Sequence, residues 1–311
     1  MLIETKKKFQ GGEIDKHQMM QDLYKVHQNL FDYPRFIEDS PIKKIEILQN
    51  RVLFHVDNNG KTIKLVCDGR DAYSLPLIYM NLCETETLES QIIHQMVKPG
   101  DIVFDIGANI GWYTISLMQK IKDVTVYSFE PIKSSFGYLK ENLDLNGLPS
   151  DRIFNFGLSD ENKTVQFFFD VQYAMASSMA NLRQSKSTIS ESCEIKRLDD
   201  FVSSIQNFNR LDFIKCDVEG AELLVFKGGL KTIEQFKPIV FSEMLRKWSA
   251  KFGYHPNQII ELFSNLNYEC FAIGDQNLRK IAIIDEDTPE TNYLFLDKNK
   301  HMDQIQSLSA F

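Results

Sequence analysis

The chain has 311 residues, 43% of them hydrophobic and 25% charged, with 15 glycines and 9 prolines. That is enough for one large α/β domain with an extension, or for two modest domains, and it carries no disordered or collagen-like bias. Lys and Arg number 35 against 43 Asp and Glu, a net charge of −8, which disfavours a nucleic-acid surface. The five cysteines are scattered without a CxxC pair, so neither a disulfide framework nor a zinc site is signalled. With no signal-like apolar core at the N-terminus and no run of about 18 apolar residues, the expectation is a soluble, cytoplasmic protein without a membrane span.

In chain order, Ile14 to Leu30 reads as an amphipathic helix. Lys44 to Leu48, Val52 to Val56 and Ile63 to Val66 read as strands of a small antiparallel sheet, with the turn Asp57-Asn58-Asn59-Gly60 between the last two. Residues 1–90 are therefore taken as an appended cap or a dimerisation element, and residues 91–311 as the main domain. From residue 97 apolar runs alternate with helical patterns, the mark of βαβ units. Strands are expected at Val103 to Ile106, Val124 to Phe129, Ile153 to Phe156, Leu211 to Cys216, Pro238 to Phe241, Tyr268 to Ile273 and Tyr293 to Leu296. Helices are expected at about 112–120, 133–146 and 219–226, and from Pro256 to about Asn265. Residues 171–191, rich in Ser and Met, read as a long loop of the kind that covers a substrate, contacts it, or is a disordered segment.

The stretch VFDIGANIGWY places Gly107, Asn109 and Gly111 between a strand and a helix, with Asp105 at the strand's carboxyl end. A dinucleotide loop wants G-x-G-x-x-G, and the third glycine is missing here. The spacing suits a cofactor without phosphates, in which glycines admit an amino acid and a ribose and an acidic residue pairs with an ammonium group. S-adenosylmethionine is such a cofactor. Glu130 ends the second strand, where its carboxylate can accept from ribose hydroxyls, and Ser159 and Asp160 fall where the adenine edge would lie, a simple turn being the alternative.

Asp217 and Glu219 at the end of the fourth strand and Glu243 at the end of the fifth face the same crevice, because ligands in open α/β sheets bind outside the carboxyl ends of the strands. A cofactor that gives up a methyl group needs its acceptor held in line, and an acceptor that carries a proton needs help in losing it. Asp217 is the candidate base, also near the cofactor, with Glu219 and Glu243 beside it. A divalent cation held by these carboxylates is possible but not favoured, because an i, i+2 spacing across a turn need not converge, and no metal ligands are assigned. The plain alternatives are a helix cap for Asp217 or Glu219 and an ion pair with Arg246 or Lys247 for Glu243. Glu222 is read onto the solvated helix face. Trp112, Tyr113 and His255 are the substrate-side candidates, against core packing for Tyr113 and helix entry for His255. Cys216 reads as a buried structural thiol.

Taken in order, VKPGDIVFDIGANIGWYT, YSFEP, FNFGLSDENKTVQF, FIKCDVEGAELLVFKGG and PIVFSEM resemble the FkbM-type methyltransferase family over roughly residues 75–300. The resemblance implies a Rossmann-like seven-stranded class I methyltransferase sheet, six strands parallel and one edge strand reversed. With the N-terminal segment this gives an α/β fold with an N-terminal α+β extension. It also implies S-adenosylmethionine as cofactor and hydroxyls of sugars, glycans or natural-product small molecules as acceptors, N- or carboxyl-methylation of a peptide or lipid head group being the alternative. A non-catalytic nucleoside-binding domain is a third reading. The expected partners are a small-molecule or glycan acceptor, no nucleic acid, and a second copy of the chain through the N-terminal region.

Overall fold

The computed structural model describes residues 1–83, 88–170, 188–274 and 278–308. Three short helices lead: α1 (Leu2–Gln10), α2 (Lys16–His27) and α3 (Asn29–Phe36). The single helix read over Ile14 to Leu30 is α2 alone at its centre. Gly11 and Gly12 separate it from α1, and the Asp15 side chain caps it by accepting from the Gln18 N–H at 2.8 Å. Strands β1 (Ile42–Ile47), β2 (Val52–Asn58) and β3 (Lys61–Leu65) form an antiparallel sheet in the order β1-β2-β3. Helices α4 (Leu75–Leu82) and α5 (Leu88–Met96) lead into the main sheet.

The main domain runs β4 (Ile102–Ile106), α6 (Trp112–Lys120), β5 (Thr125–Phe129), α7 (Lys133–Leu145) and β6 (Ile153–Phe154). The chain then leaves the sheet for β7 (Gly157–Ser159), β8 (Lys163–Asp170) and β9 (Thr188–Arg197), which pair in the order β7-β9-β8. It returns through α8 (Leu198–Ser204), β10 (Phe213–Cys216), α9 (Glu222–Gly228), α10 (Leu230–Phe236), β11 (Ile239–Glu243), α11 (Arg246–Ser249), α12 (Asn257–Asn265), β12 (Tyr268–Ile273), β13 (Leu278–Ile281), β14 (Asn292–Asp297) and α13 (Met302–Leu308).

Among the described residues the main sheet has eight strands in the order β13-β12-β14-β11-β10-β4-β5-β6. β14 lies antiparallel between β11 and β12, and β13 adds an antiparallel edge. This corrects the expected topology in one respect. The reversed strand is not at the edge but inserted next to the fifth strand, and an unforeseen short strand occupies the edge. The core strands read as continuous apolar runs because both faces are covered: β10 is buried at all four positions, and Val103 and Phe104 of β4 are fully enclosed. On one face Phe201 meets Phe104, Phe129 and Phe154 edge to face, and Phe104 meets Phe129 likewise, with centroids 4.9 to 6.0 Å apart. Of the segment read as a long loop, residues 171–187 lie outside the described residues, and the remainder belongs to β9.

The extension is bound to the domain through Asn142 of α7, which is fully buried. Its side chain accepts from the Val66 N–H at 2.7 Å and donates to the Val66 and Ile110 carbonyls at 3.1 and 2.8 Å. The small sheet thus sits beside the glycine loop, sharing a core of Val56, Ile63, Trp112 and Leu139. In contrast α1 and α3 bury no residue and α2 buries only Leu23, while Phe31, Tyr24 and Phe36 stand exposed. Among the described residues no helix is long and apolar enough to cross a membrane.

Candidate active site

The carboxyl ends of β4, β5, β10 and β11 open into one cleft of about 450 Å³. The glycine loop forms its floor. Gly107 has φ +79°, and a Cβ there would lie 1.9 Å from the Asp217 carbonyl oxygen, so only glycine lets β4 and β10 close on each other at this point. Gly111, with φ +94°, serves packing instead: a Cβ would meet Leu139 at 2.6 Å, and the residue does not line the cleft. Its reading as a cofactor contact is therefore corrected to that of the residue that admits α7 against the start of α6.

Glu130 lines the cleft but is 6% exposed, and both its oxygens are engaged. Oε2 accepts from the Asn109 N–H and Oε1 from the Ile132 N–H, each at 2.9 Å. Asn109 itself lines the cleft in the left-handed region, φ +50°. Burial pushes the Glu130 carboxyl up to about 7 against these stabilising bonds. Each oxygen retains a further lone pair, so Glu130 both staples the glycine loop and faces the cleft.

Asp105 is 1% exposed and is absent from the cleft lining. It accepts from Thr114 at 2.7 Å and stands 3.6 Å from the Lys215 ammonium. The ammonium it pairs with is thus the protein's own, which corrects its assignment as a direct cofactor ligand. Lys215 is the residue that sequence reading missed. Its Nζ lies 3.2 Å from Asp217 Oδ2, donates to the Gly107 carbonyl at 3.0 Å and sits 5.4 Å from the Tyr113 ring centre. The available signal was a lysine inside the apolar strand FIKC with an acid at the end of each neighbouring turn.

Asp217, Glu219 and Glu243 all line the cleft, and one carboxylate oxygen from each lies within 4.8 Å of the others. Convergence, which the i, i+2 spacing left open, is therefore real. It arises because the turn after β10 is not helical: Glu219 has φ +55° and α9 starts only at Glu222. Neither Asp217 nor Glu219 caps that helix, which has no side-chain cap. Glu222, its first residue, instead ties the preceding turn together, its Oε1 accepting from the Val218 and Gly220 N–H groups at 3.2 and 3.0 Å and Oε2 from the Tyr254 hydroxyl at 3.2 Å. At 1% exposure it is not on a solvated face, which corrects that reading, and burial pushes its carboxyl up to about 7. Glu243 shares a hydrogen bond with Asp217, and burial together with the Asp217 charge pushes its carboxyl well above the ordinary range. Arg246 and Lys247 turn elsewhere, to the Asp285 and Thr288 carbonyls and to the Trp248 ring.

Trp112 and Tyr113 line the cleft, Trp112 packed edge-on against Tyr79 at 5.0 Å. His255 does not. It is exposed, and its Nδ1 accepts from the Asn257 N–H at 3.2 Å, so it orders the entry to α12 rather than meeting substrate. Ser159 and Asp160 are also outside the lining, because β7 has already carried the chain into the second sheet; Gly157 and Leu158 take that place. The extension supplies a wall that no motif announced, including Asp68, Asp71, Ser74 and Tyr79, with Arg70 forked onto Asp68 at 2.6 to 3.2 Å.

Comparison with known proteins places this geometry. A sequence model of the methyltransferase FkbM domain matches residues 105–270, more than half of the chain. The chain is 28% identical over 142 residues to Methyltransferase 1 of Beauveria bassiana, covering 40% of this chain and 57% of that one. It is 30% identical over 156 residues to the 2-O-methyltransferase NoeI of Sinorhizobium fredii, covering 46% and 63%. It therefore spans under two thirds of the length of either relative. A solved methyltransferase FkbM from Methylobacillus flagellatus superposes with a TM-score of 0.40 at 17% identity, over 71% of this chain and 52% of that one. The matched residues begin at Asp105 and run through the glycine loop, Glu130 and the turn after β10: the chain belongs to the FkbM methyltransferase family.

Proposed function

We propose that the protein transfers a methyl group from S-adenosylmethionine to a hydroxyl of a sugar, glycan or other small polyol. The observation that carries the reading is Asp217: a part-exposed carboxylate at the end of β10, one strand from the glycine loop, with its Oδ2 held by the buried Lys215. The residues present fit this cofactor. The glycine floor lets a ligand lie against backbone, Glu130 keeps lone pairs toward the cleft, and the acidic surroundings of Asp217 suit a cationic sulfur. When bound, S-adenosylmethionine supplies an electrophilic methyl group. The chain's own part is to hold the acceptor hydroxyl in line, exclude water with Trp112 and Tyr113, and take the hydroxyl proton on Asp217. Lys215 holds Asp217 Oδ2 at 3.2 Å, while burial, which favours the protonated form of Glu243, lets that carboxyl donate to Asp217. The 2-O-methyltransferase in the name of one relative agrees with an oxygen acceptor.

A second reading rests on the convergence of Asp217, Glu219 and Glu243 within 4.8 Å, a hard oxygen set able to hold a divalent cation that would acidify the acceptor. The test is methyl transfer from labelled S-adenosylmethionine to an acceptor panel, read by mass spectrometry, on wild type and Asp217→Asn. The variant is expected to bind the cofactor within about threefold of wild type and to lose at least 100-fold in turnover, with wild-type activity unaffected by chelation. Full activity of Asp217→Asn would remove the base, and loss on chelation with recovery on Mg²⁺ would select the cation.

A further inference from the structure

At its reacting end the cleft is acidic beyond what a cationic cofactor needs. Asp217, Glu219 and Glu243 crowd within 4.8 Å. Glu89 from α5 joins them, its Oε1 accepting from Asn292, the residue opposite Glu243 in the β11–β14 pairing, at 2.9 Å. Among the described residues lining the cleft, seven acidic side chains stand against two basic ones, and the basic group at the reacting end, Lys215, is not free to greet a ligand. Lys215 is 5% exposed at its side chain and spent on Asp217, Asp105 and the Gly107 carbonyl. Arg70 stands exposed on the extension's wall, where it pairs with Asp68. S-adenosylmethionine brings one net positive charge, so the reacting end stays negative with the cofactor in place. A carboxylate or phosphate entering there loses its hydration and meets like charge without a donor fork, whereas hydroxyl and ammonium groups find acceptors on every side. Phe241 and Tyr113 supply flat apolar surface for C–H faces next to those acceptors.

Resting on the methyl-transfer reading of this cleft, we propose that the acceptor is uncharged or cationic at its reacting end, a neutral or amino-bearing polyol, and that carboxylate- and phosphate-bearing acceptors are rejected. Carboxyl methylation is thereby disfavoured against hydroxyl methylation.

The experiment is saturation-transfer NMR on the full chain loaded with S-adenosylhomocysteine. The ligands are methyl glucoside, methyl glucosaminide, methyl glucuronate and methyl glucoside 6-phosphate, each with chelator and again with Mg²⁺. The neutral and amino-bearing members are expected to give at least tenfold stronger signals than the two anionic ones. Glu89→Gln, which keeps an acceptor for Asn292, should raise the anionic signals at least threefold. Anionic members binding as well as the neutral one in either condition, or no signal from the neutral and amino-bearing pair, would overturn the proposal. Calorimetry of S-adenosylhomocysteine on the same sample separates the two levels. Its failure to bind removes the cofactor reading, while tight binding together with anion acceptance removes the charge selection alone.

Discussion

Lys215 shows how one side chain ties the site together. At 4% exposure it neutralises Asp105 and Asp217 and anchors the Gly107 carbonyl, groups that come from two adjacent strands. Removing one partner of a buried charge set leaves the others uncompensated, which costs on the order of 3–5 kcal/mol. Lys215→Met is therefore expected to lower stability by about that amount in urea denaturation. Adding Asp105→Asn should return a measurable part of the loss, since it removes one of the stranded carboxylates. Additive losses in the double variant would mean that the lysine does not balance Asp105.

At the level of elements, the three N-terminal helices and the small sheet behind them have different standing. α1 and α3 bury nothing and α2 buries Leu23 alone, whereas β2 and β3 bury Phe54, Val56, Ile63 and Leu65 against Trp112 and Leu139. Burying one leucine is worth roughly 1.5–3 kcal/mol. Deleting residues 1–36 is accordingly expected to shift the Tm by no more than about 5 °C and to leave cofactor affinity unchanged. Deleting residues 1–83 strips a cleft wall and half of that core, and should leave no cooperative thermal transition. Calorimetric scans of the two truncations decide it. A collapse on the shorter deletion would show that the helices carry the fold.

For the whole molecule, stability should depend on pH in a direction set by its buried acids. Glu130 and Glu222 are both pushed up to about 7, and Glu243 is raised as well, each by burial. A carboxyl whose folded value exceeds its unfolded one stabilises fully below the unfolded value and loses that contribution as pH rises through the folded one. His301 runs the other way. Pushed down to about 4 by burial, it is fully favourable above its ordinary value and loses that contribution as pH falls. The carboxyls outnumber it, so urea midpoints without ligand are expected to fall between pH 5 and 8. Glu222→Gln is a clean probe, because the amide can still accept from Val218 and Gly220 and donate to Tyr254. It should flatten the fall by roughly 3 kcal/mol at most, and an unchanged slope would place the titration elsewhere.

What the sequence by itself determined is what short segments encode. The strand–glycine–helix unit from Val103 to Trp112, Glu130 one strand later and the acids of CDVEG each lie within one βα unit, where periodicity, glycine conformations and the carboxyl ends of strands settle position. Asp217, Glu219, Glu243, Gly107, Asn109 and Glu130 were legible for that reason, and all line the cleft. Local reading misled where a neighbour in sequence is not a neighbour in space. Ser159 and Asp160 follow a strand that switches sheets, His255 precedes a helix on the outer side, and Glu222 looks solvated until the left-handed turn at Glu219 folds it under. Only the tertiary structure decided that three carboxylates converge, that Lys215 meets the Gly107 carbonyl across 108 residues of chain, and that the extension walls the cleft. Those facts depend on the pairing of β4 with β10 and on Asn142 reaching Val66, contacts between distant segments that leave no periodic trace in either segment.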